Sequence, residues 1–352
     1  MGKIISGIQQ IGIGVTDVHT AWKWYRQNLG FDIKMFEEAA EAKLMLPYTN
    51  NKPQKRHAIL ALNMKGGGGL EIWEYKSRTP QGPSFDIELG DLGIFINKVK
   101  TEDIKRAYAQ LRSNDVNILD EISPKPNGDS HFYIKDPWDN IIEIEESNDW
   151  TLKMDKLFGG NSGVVLGVKD IEKSMLFYSK ILGYDQVIYD ETGIFQDFKN
   201  LPGDKNKVRR VLLKHSQKRE GAFSKLLGPS SIELICRLDA EPKKIYQDRL
   251  WGDLGYIHLC FDITGMELLK QECESLGHPF TVDSANSFDM GEAAGHFSYI
   301  EDPDGTLIEF VETHKIPILK KISWYLDLRK RDRAKALPQW FFKIINLTRT
   351  KN

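Results

Sequence analysis

Most of this chain is written twice, and that limits its possible folds more than any other feature. Residues 8–31 read IQQIGIGVTDVHTAWKWYRQNLGF and residues 161–184 read NSGVVLGVKDIEKSMLFYSKILGY, which sets Asp17 against Asp170 and Gly30 against Gly183. LEIWEY around Glu71 returns as IELICR around Glu233, and GDLG at 90–93 returns at 252–255. FYIKDPWDNIIEIEE closes the first copy as SYIEDPDGTLIEFVE closes the second, with Asp136 against Asp302. Matching residues keep their order while their separation grows only from 153 to 166, so the chain is a tandem duplication with small insertions.

Each copy holds a smaller repeat. A strand-like run from Ile8 to Val15 leads into a helix-like stretch from Asp17 to Asn28, followed by three extended runs ending around Glu71. Asp17 suits an N-cap, Ala21, Trp22, Tyr25 and Leu29 fall at helical spacing, and Gly30 stops the helix. The second quarter repeats the pattern, with a strand near Gly93–Val99, a helix over Thr101–Ser113 and a last strand around Glu143. Asp136-Pro137 and Asp302-Pro303-Asp304-Gly305 are turn chemistry ahead of alternating runs. The expected fold is α+β, with four βαβββ modules in two tandem domains at 1–150 and 157–316.

Composition bounds the rest. At 352 residues, 41% hydrophobic and 28% charged, the chain can build two sizeable cores. A formal charge of −2 argues against nucleic acid as a partner. No apolar run approaches the roughly 20 residues of a spanning helix, and MGKIISGIQQ lacks the apolar stretch of a secretory signal. Three cysteines (Cys236, Cys260, Cys273) have no metal-binding spacing, which points to a reducing, cytoplasmic setting. Residues 317–352 stand outside the repeat and form a basic tail of charge +8. Trp324, Tyr325 and Leu328, then Trp340, Phe341, Ile344 and Ile345, suggest two amphipathic helices broken near Pro338. Packing of that aromatic stripe on the domains is preferred to contact with an anionic membrane surface.

Period-two alternation separates the strand faces. It groups Ile8, Gln10, Gly12 and Gly14; Glu71, Trp73 and Tyr75; Tyr256, His258, Cys260 and Asp262; and Leu307, Glu309 and Val311. A lone carboxylate among apolar neighbours must be protonated, paired or metal-bound. Glu71, Glu143, Glu233 and Glu309 each occupy the same place in the last strand of a module. His258 stands in the first strand of the fourth module, and Gln10 holds the matching spot in the first. Oxygen and imidazole ligands together suit Zn, Mn, Fe, Ni or Co.

These motifs resemble the vicinal oxygen chelate superfamily, which includes glyoxalase I, bleomycin-resistance proteins, methylmalonyl-CoA epimerase and extradiol dioxygenases. The resemblance covers about residues 5–315. It implies metal ligands on the first and last strands of paired modules, where this chain has Gln10, Ile96, Gly163, His258, Glu71, Glu143, Glu233 and Glu309. If each half forms its own site, the sets are Gln10, Glu71, Glu143 and Glu233, His258, Glu309. If modules one and four combine, the set is Gln10, Glu71, His258 and Glu309, which resembles a glyoxalase I-type site. The complementary cleft, with Ile96, Glu143, Gly163 and Glu233, would then be inactive. The second pairing is preferred.

The resemblance implies one divalent ion and a metal-stabilised enediolate of a small carbonyl substrate. The reaction would be an isomerisation, epimerisation or lyase step, with Glu309 as the base and Glu71 as its partner. Trp73, Tyr75 and Tyr256 share faces with ligands and would wall the pocket or fill the core. For His296 a hydrogen-bonded structural role is preferred to that of an acid or base near the substrate. Two other readings remain open: a non-catalytic small-molecule binder, and an Fe(II) ring-cleaving dioxygenase, whose facial triad would lack an imidazole at Gly163. Monomer and homodimer are both compatible with a fused pair of domains.

Overall fold

Strand-forming runs bounded by turn residues give twenty strands among the described residues, and four amphipathic helices follow the first strand of each module. The structure, a computed structural model, describes residues 2–285, 288–290, 293–319 and 324–350. The first module comprises β1 (Ile4–Gly14), α1 (Val18–Leu29), β2 (Ile33–Glu41), β3 (Lys55–Leu62) and β4 (Gly69–Tyr75). The second comprises β5 (Gly93–Thr101), α2 (Ile104–Ser113), the short β6 (Asn117–Ile118) and β7 (Ser123–Pro124), β8 (Ser130–Lys135) and β9 (Ile141–Glu146). The third comprises β10 (Phe158–Gly167), α3 (Ile171–Leu182), β11 (Gln186–Gly193), β12 (Val208–Lys214), a single turn α4 (Ser224–Leu227) and β13 (Ser231–Arg237). The fourth comprises β14 (Gly255–Thr264), α5 (Met266–Ser275), β15 (Val282–Asp283), β16 (Phe288–Met290), β17 (Ala293–Glu301) and β18 (Leu307–Thr313).

The helix ends follow the sequence signals. Asp17 accepts the Thr20 amide at 2.6 Å and Asp170 accepts the Lys173 amide at 3.1 Å, while Gly30 and Gly183 close α1 and α3 in the left-handed region that glycine adopts without strain. The Asp-Pro turns also serve the core. Asp136 Oδ1 accepts the amides of Trp138 and Asn140, and its other oxygen receives the Tyr25 hydroxyl. Asp302 repeats this with the amides of Asp304 and Thr306 and the Tyr178 hydroxyl. Burial pushes both carboxyls up to about 6 despite those donors.

The sheets do not follow the halves of the sequence. One sheet runs β15-β17-β18-β14-β1-β4-β3-β2 and so joins the fourth module to the first. The other runs β11-β12-β13-β10-β5-β9-β8-β6 and joins the third module to the second. Within each, the first strands of two modules pair antiparallel, β1 with β14 and β5 with β10, and each pairs in parallel with its own last strand. The GDLG motifs fit this arrangement. The carbonyls of Asp253 and Asp91 pass so close to Gly14 and Gly167 that a Cβ would stand 1.9 Å and 1.8 Å away. Apolar faces of α1, α2, α3 and α5 share one core with the backs of both sheets, through residues such as Tyr25, Leu111, Phe177 and Leu269.

The tail departs from the two-helix expectation. Its first part is a hairpin of β19 (Lys315–Leu319) and β20 (Trp324–Asp327), so Trp324 and Tyr325 belong to a strand, and residues 320–323 lie outside the described residues. Pro317 cannot continue a helix, and β19 and β20 pair antiparallel instead. One helix follows, α6 (Gln339–Asn346). Phe341 of the expected stripe is buried with Leu337 and Phe342 against Ile33, Leu62, Leu226 and Leu227. Leu328 and Ile345 pack partly on the same cluster, and Trp340 stays exposed.

Candidate metal centre

Four polar heads meet on the concave face of the sheet formed by the first and fourth modules. Gln10 comes from β1, Glu71 from β4, His258 from β14 and Glu309 from β18. Register brings them together: Gly12 pairs with Glu71, Gln10 with Cys260, Gly12 with His258, and Cys260 with Glu309. The His258 Nε2 atom lies 3.3 Å from Glu71 Oε2 and 3.1 Å from Glu309 Oε2. The Gln10 amide nitrogen lies 3.4 Å and 3.3 Å from the same two oxygens. His258 is fully buried, Gln10 and Glu309 nearly so, and Glu71 is the member closest to solvent.

This donor set fits a divalent ion. Ligands held about 2.0–2.2 Å from one ion lie roughly 3.0–3.4 Å from one another, the spacing observed. His258 Nε2 is taken up by the two carboxylates, but His258 Nδ1 and Gln10 Oε1 are buried without a hydrogen bond. Orphaned buried polar atoms are rare and call for a missing partner. A half-turn of the Gln10 amide sets Oε1 where Nε2 now stands, a choice fixed by the surrounding donors rather than by the backbone. Burial pulls the His258 pKa down, but Glu309 and Glu71 outweigh it and raise the imidazole to about 10. Burial pushes Glu309 the other way, yet His258 and Tyr299 keep its carboxyl below the usual range.

Aromatic rings enclose the imidazole. Trp251 lies parallel to His258 at 6.4 Å, and Tyr299 meets it edge-on at 5.6 Å. Trp73 packs edge-on against Trp251 at 4.7 Å, and the Tyr75 hydroxyl donates to the Trp251 carbonyl. Trp73 and Tyr75 thus take the expected wall positions; Tyr256 does not. A bulge at Ile257 shifts the register between Gly12–His258 and Ile13–Tyr256. It turns Tyr256 into the helix-side core, where its hydroxyl donates to the Ile141 carbonyl at 2.8 Å, and brings Ile257 to the Trp73–Trp251 cluster. A second bulge at Gln9 sends Ile8 into the core while Gln10 keeps the concave face. His296 bonds Asp283 at 2.6 Å and sits beside Ser298-side residues of β17, on the face opposite Tyr299. Tyr299 and Trp251 escaped the sequence reading. Tyr299 stands opposite Glu309 in β17–β18 and was open to the alternation argument, whereas Trp251 lies in a loop that has no periodicity to read.

The cleft of the other sheet holds Glu143 and Glu233 at the positions matching Glu71 and Glu309, and a cation of the chain's own lies between them. Lys98 sits opposite Glu143 as Gly12 sits opposite Glu71. Its ammonium is 3.1 Å from Glu143 and 2.5 Å from Glu233, with all three side chains fully buried. Gly163 stands two residues before the partner of Glu233, as His258 stands two before the partner of Glu309. Lys125 and His131 reach Glu143 at 3.2 Å and 2.9 Å, and Arg210 and Tyr189 complete the shell of Glu233. Ile96 packs in the apolar cluster nearby. Both carboxylates of this cleft are ion-paired by the chain's own cations. Sequence reading missed Lys98, although a lysine inside the run GIFINKVKT carried the signal.

Residues 7–144 match the Glyoxalase/Bleomycin resistance protein/Dioxygenase superfamily. No curated protein matches the chain in sequence. Among solved structures, glyoxalase I from Zea mays superposes with a TM-score of 0.51 at 14% identity, covering 88% of this chain and 92% of that one. A proposed dioxygenase from Bacillus subtilis superposes with a TM-score of 0.59 at 14% identity, covering 88% and 86%. At such identity these likenesses concern the fold, and the fold hosts several chemistries. Among the described residues no helix is long and apolar enough to cross a membrane. Residues 7–144 are thus similar in sequence to the Glyoxalase/Bleomycin resistance protein/Dioxygenase superfamily, and the paired βαβββ sheets share the fold of these two solved structures.

Proposed function

We propose that Gln10, Glu71, His258 and Glu309 hold one divalent ion and that the chain is a metal-dependent isomerase, epimerase or lyase for a small carbonyl compound. The observation that carries this reading is the convergence of four ligand heads from four strands, with His258 Nδ1 and Gln10 Oε1 buried and without a hydrogen bond. A bound ion would supply Lewis-acid stabilisation of negative charge on a substrate oxygen.

The protein's own groups do the remaining work. Gln10 is neutral, and His258 would become so by losing its proton to a bound ion, so the two carboxylates would balance the charge of a divalent ion. Trp73, Trp251 and Tyr299 keep water from the imidazole, which strengthens every charge interaction there. Glu71 and Glu309 are the proton carriers. Resemblance favoured Glu309 as the base, but Glu309 is anchored by His258 and Tyr299 and kept ionised. Glu71 stands nearest solvent and is the freer carboxylate, so we assign proton abstraction to Glu71 and anchoring to Glu309. A single imidazole serves the set, which favours this chemistry over ring cleavage by a two-imidazole triad.

The test is elemental analysis of tag-free, chelator-free protein together with Glu71→Gln and His258→Ala. The expected result is one ion bound at the buried site of the wild type and lost in His258→Ala, followed by turnover in a screen of α-hydroxycarbonyl and α-ketoacid compounds. Wild-type protein that takes up no ion at the buried site after reconstitution would sink the proposal and leave a ligand-binding protein.

A further inference from the structure

A second group of metal-ligating side chains lies on the opposite face of the first-module sheet. His19 stands in the first turn of α1, Glu37 in the edge strand β2 and His57 in β3. Glu37 pairs with Ile59 and His57 with Glu74, both on the helix side, whereas Leu60 pairs with Glu71 on the concave side. The two groups are therefore separated by the thickness of the sheet.

Their heads converge. The Nε2 atoms of His57 and His19 lie 3.1 Å and 3.4 Å from the same oxygen, Glu37 Oε1. The imidazole rings meet edge-on at 5.2 Å, and one ligand atom from each residue lies within 4.8 Å of the others. Two of these separations already equal the roughly 3.3 Å between neighbouring ligands on an ion with bonds of about 2.0 Å. The other carboxylate oxygen of Glu37 is taken by Lys34, so Oε1 is left to the two imidazoles.

We propose that His19, Glu37 and His57 form a second, solvent-facing site for a borderline transition ion such as Co(II), Ni(II), Cu(II) or Zn(II). Two imidazoles and one carboxylate suit these ions and not Mg(II) or Ca(II), which prefer oxygen. His19 is largely exposed, leaving the outer positions of the ion open to water or to an external ligand. The Lys34 ammonium opposes a dication at this distance and sets the affinity below that of a closed site.

Cobalt(II) is the probe, because its visible absorption reports nitrogen and oxygen ligation. Metal-stripped, tag-free full-length protein is dialysed against Co(II), with His57→Ala, His19→Ala, Lys34→Gln and Glu309→Gln beside the wild type. The expected result is one ion lost, or bound about tenfold or more weakly, in His57→Ala and His19→Ala, with unchanged circular dichroism. Lys34→Gln should bind it more tightly. Glu309→Gln should keep this ion and lose the other. Unchanged uptake in both histidine variants would overturn the proposal while leaving the buried site standing. Loss in the histidine variants with none in Glu309→Gln would overturn the buried site and leave this one.

Discussion

Gly12 lies directly across the β1–β14 pairing from His258, and a Cβ on Gly12 would stand 2.3 Å from the imidazole Cε1. The ligand can occupy its place only because that strand position carries no side chain. Gly12→Ala should therefore turn or displace His258 and lower metal affinity about 10–100-fold, with a far smaller change in thermal midpoint. Isothermal titration with Co(II) on Gly12→Ala and wild type reads this, and equal affinities would contradict it.

The two carboxylates should separate in their effects. Glu71→Gln should retain metal within a few fold but abolish solvent deuterium exchange into substrate at the acidic carbon. Glu309→Gln should lose the metal first. The pair of measurements assigns base and anchor independently, and the reverse pattern would hand the base to Glu309.

Lys98 offers a stability test. Lys98→Met leaves Glu143 and Glu233 buried with one cation fewer, a loss expected to cost about 3–5 kcal/mol. Urea denaturation at pH 7 measures it. A loss below about 1 kcal/mol would mean that water or bulk ions already screen the cleft.

The same network fixes an acid limb. Burial favours a protonated Glu233, but Arg210 and Lys98 outweigh it and hold the carboxyl down at about 2, against about 4.3 in the unfolded chain. A folded-state pKa below the unfolded one adds stability above about pH 4.3 and forfeits it as the pH falls from there toward 2. Wild-type stability should fall across that window, and in Lys98→Met the fall should be shallower because the depression is smaller.

In the tail, Phe342 is fully buried while Trp340 is 53% exposed. Phe342→Ala should cost about 3–5 kcal/mol, and Trp340→Ala should change stability by less than about 0.5 kcal/mol. Similar losses from both would place the aromatic stripe outside the core.

The modules, their order and the polar face of each last strand could be read from the sequence because duplication printed the same signals several times. Glu71 and Glu309 stood out as carboxylates in apolar runs, and His258 as the imidazole between Ile257 and Leu259. Tyr256 was misplaced because one extra residue, Ile257, inverts the alternation locally, and bulges leave no mark in composition. The tail hairpin read as a helix because Trp324, Tyr325 and Leu328 satisfy a 3.6-residue spacing that a strand and its turn can also carry. Trp251 reaches His258 through tertiary contact alone, which no local pattern encodes.

The order of the sheets has a consequence for how the molecule comes into being. Gln10 and Glu309 meet across 299 residues of chain, whereas Glu143 and Glu233 belong to modules that follow one another. On the ribosome the inner sheet can close while the last module is still being made. The sheet of the first and fourth modules must hold β1 without its β14 partner until residues 255–264 have been synthesised. The internal Lys98 cation lets the early sheet mature without any supply from the cell, while the proposed four-ligand set would be complete only once Glu309 has been made.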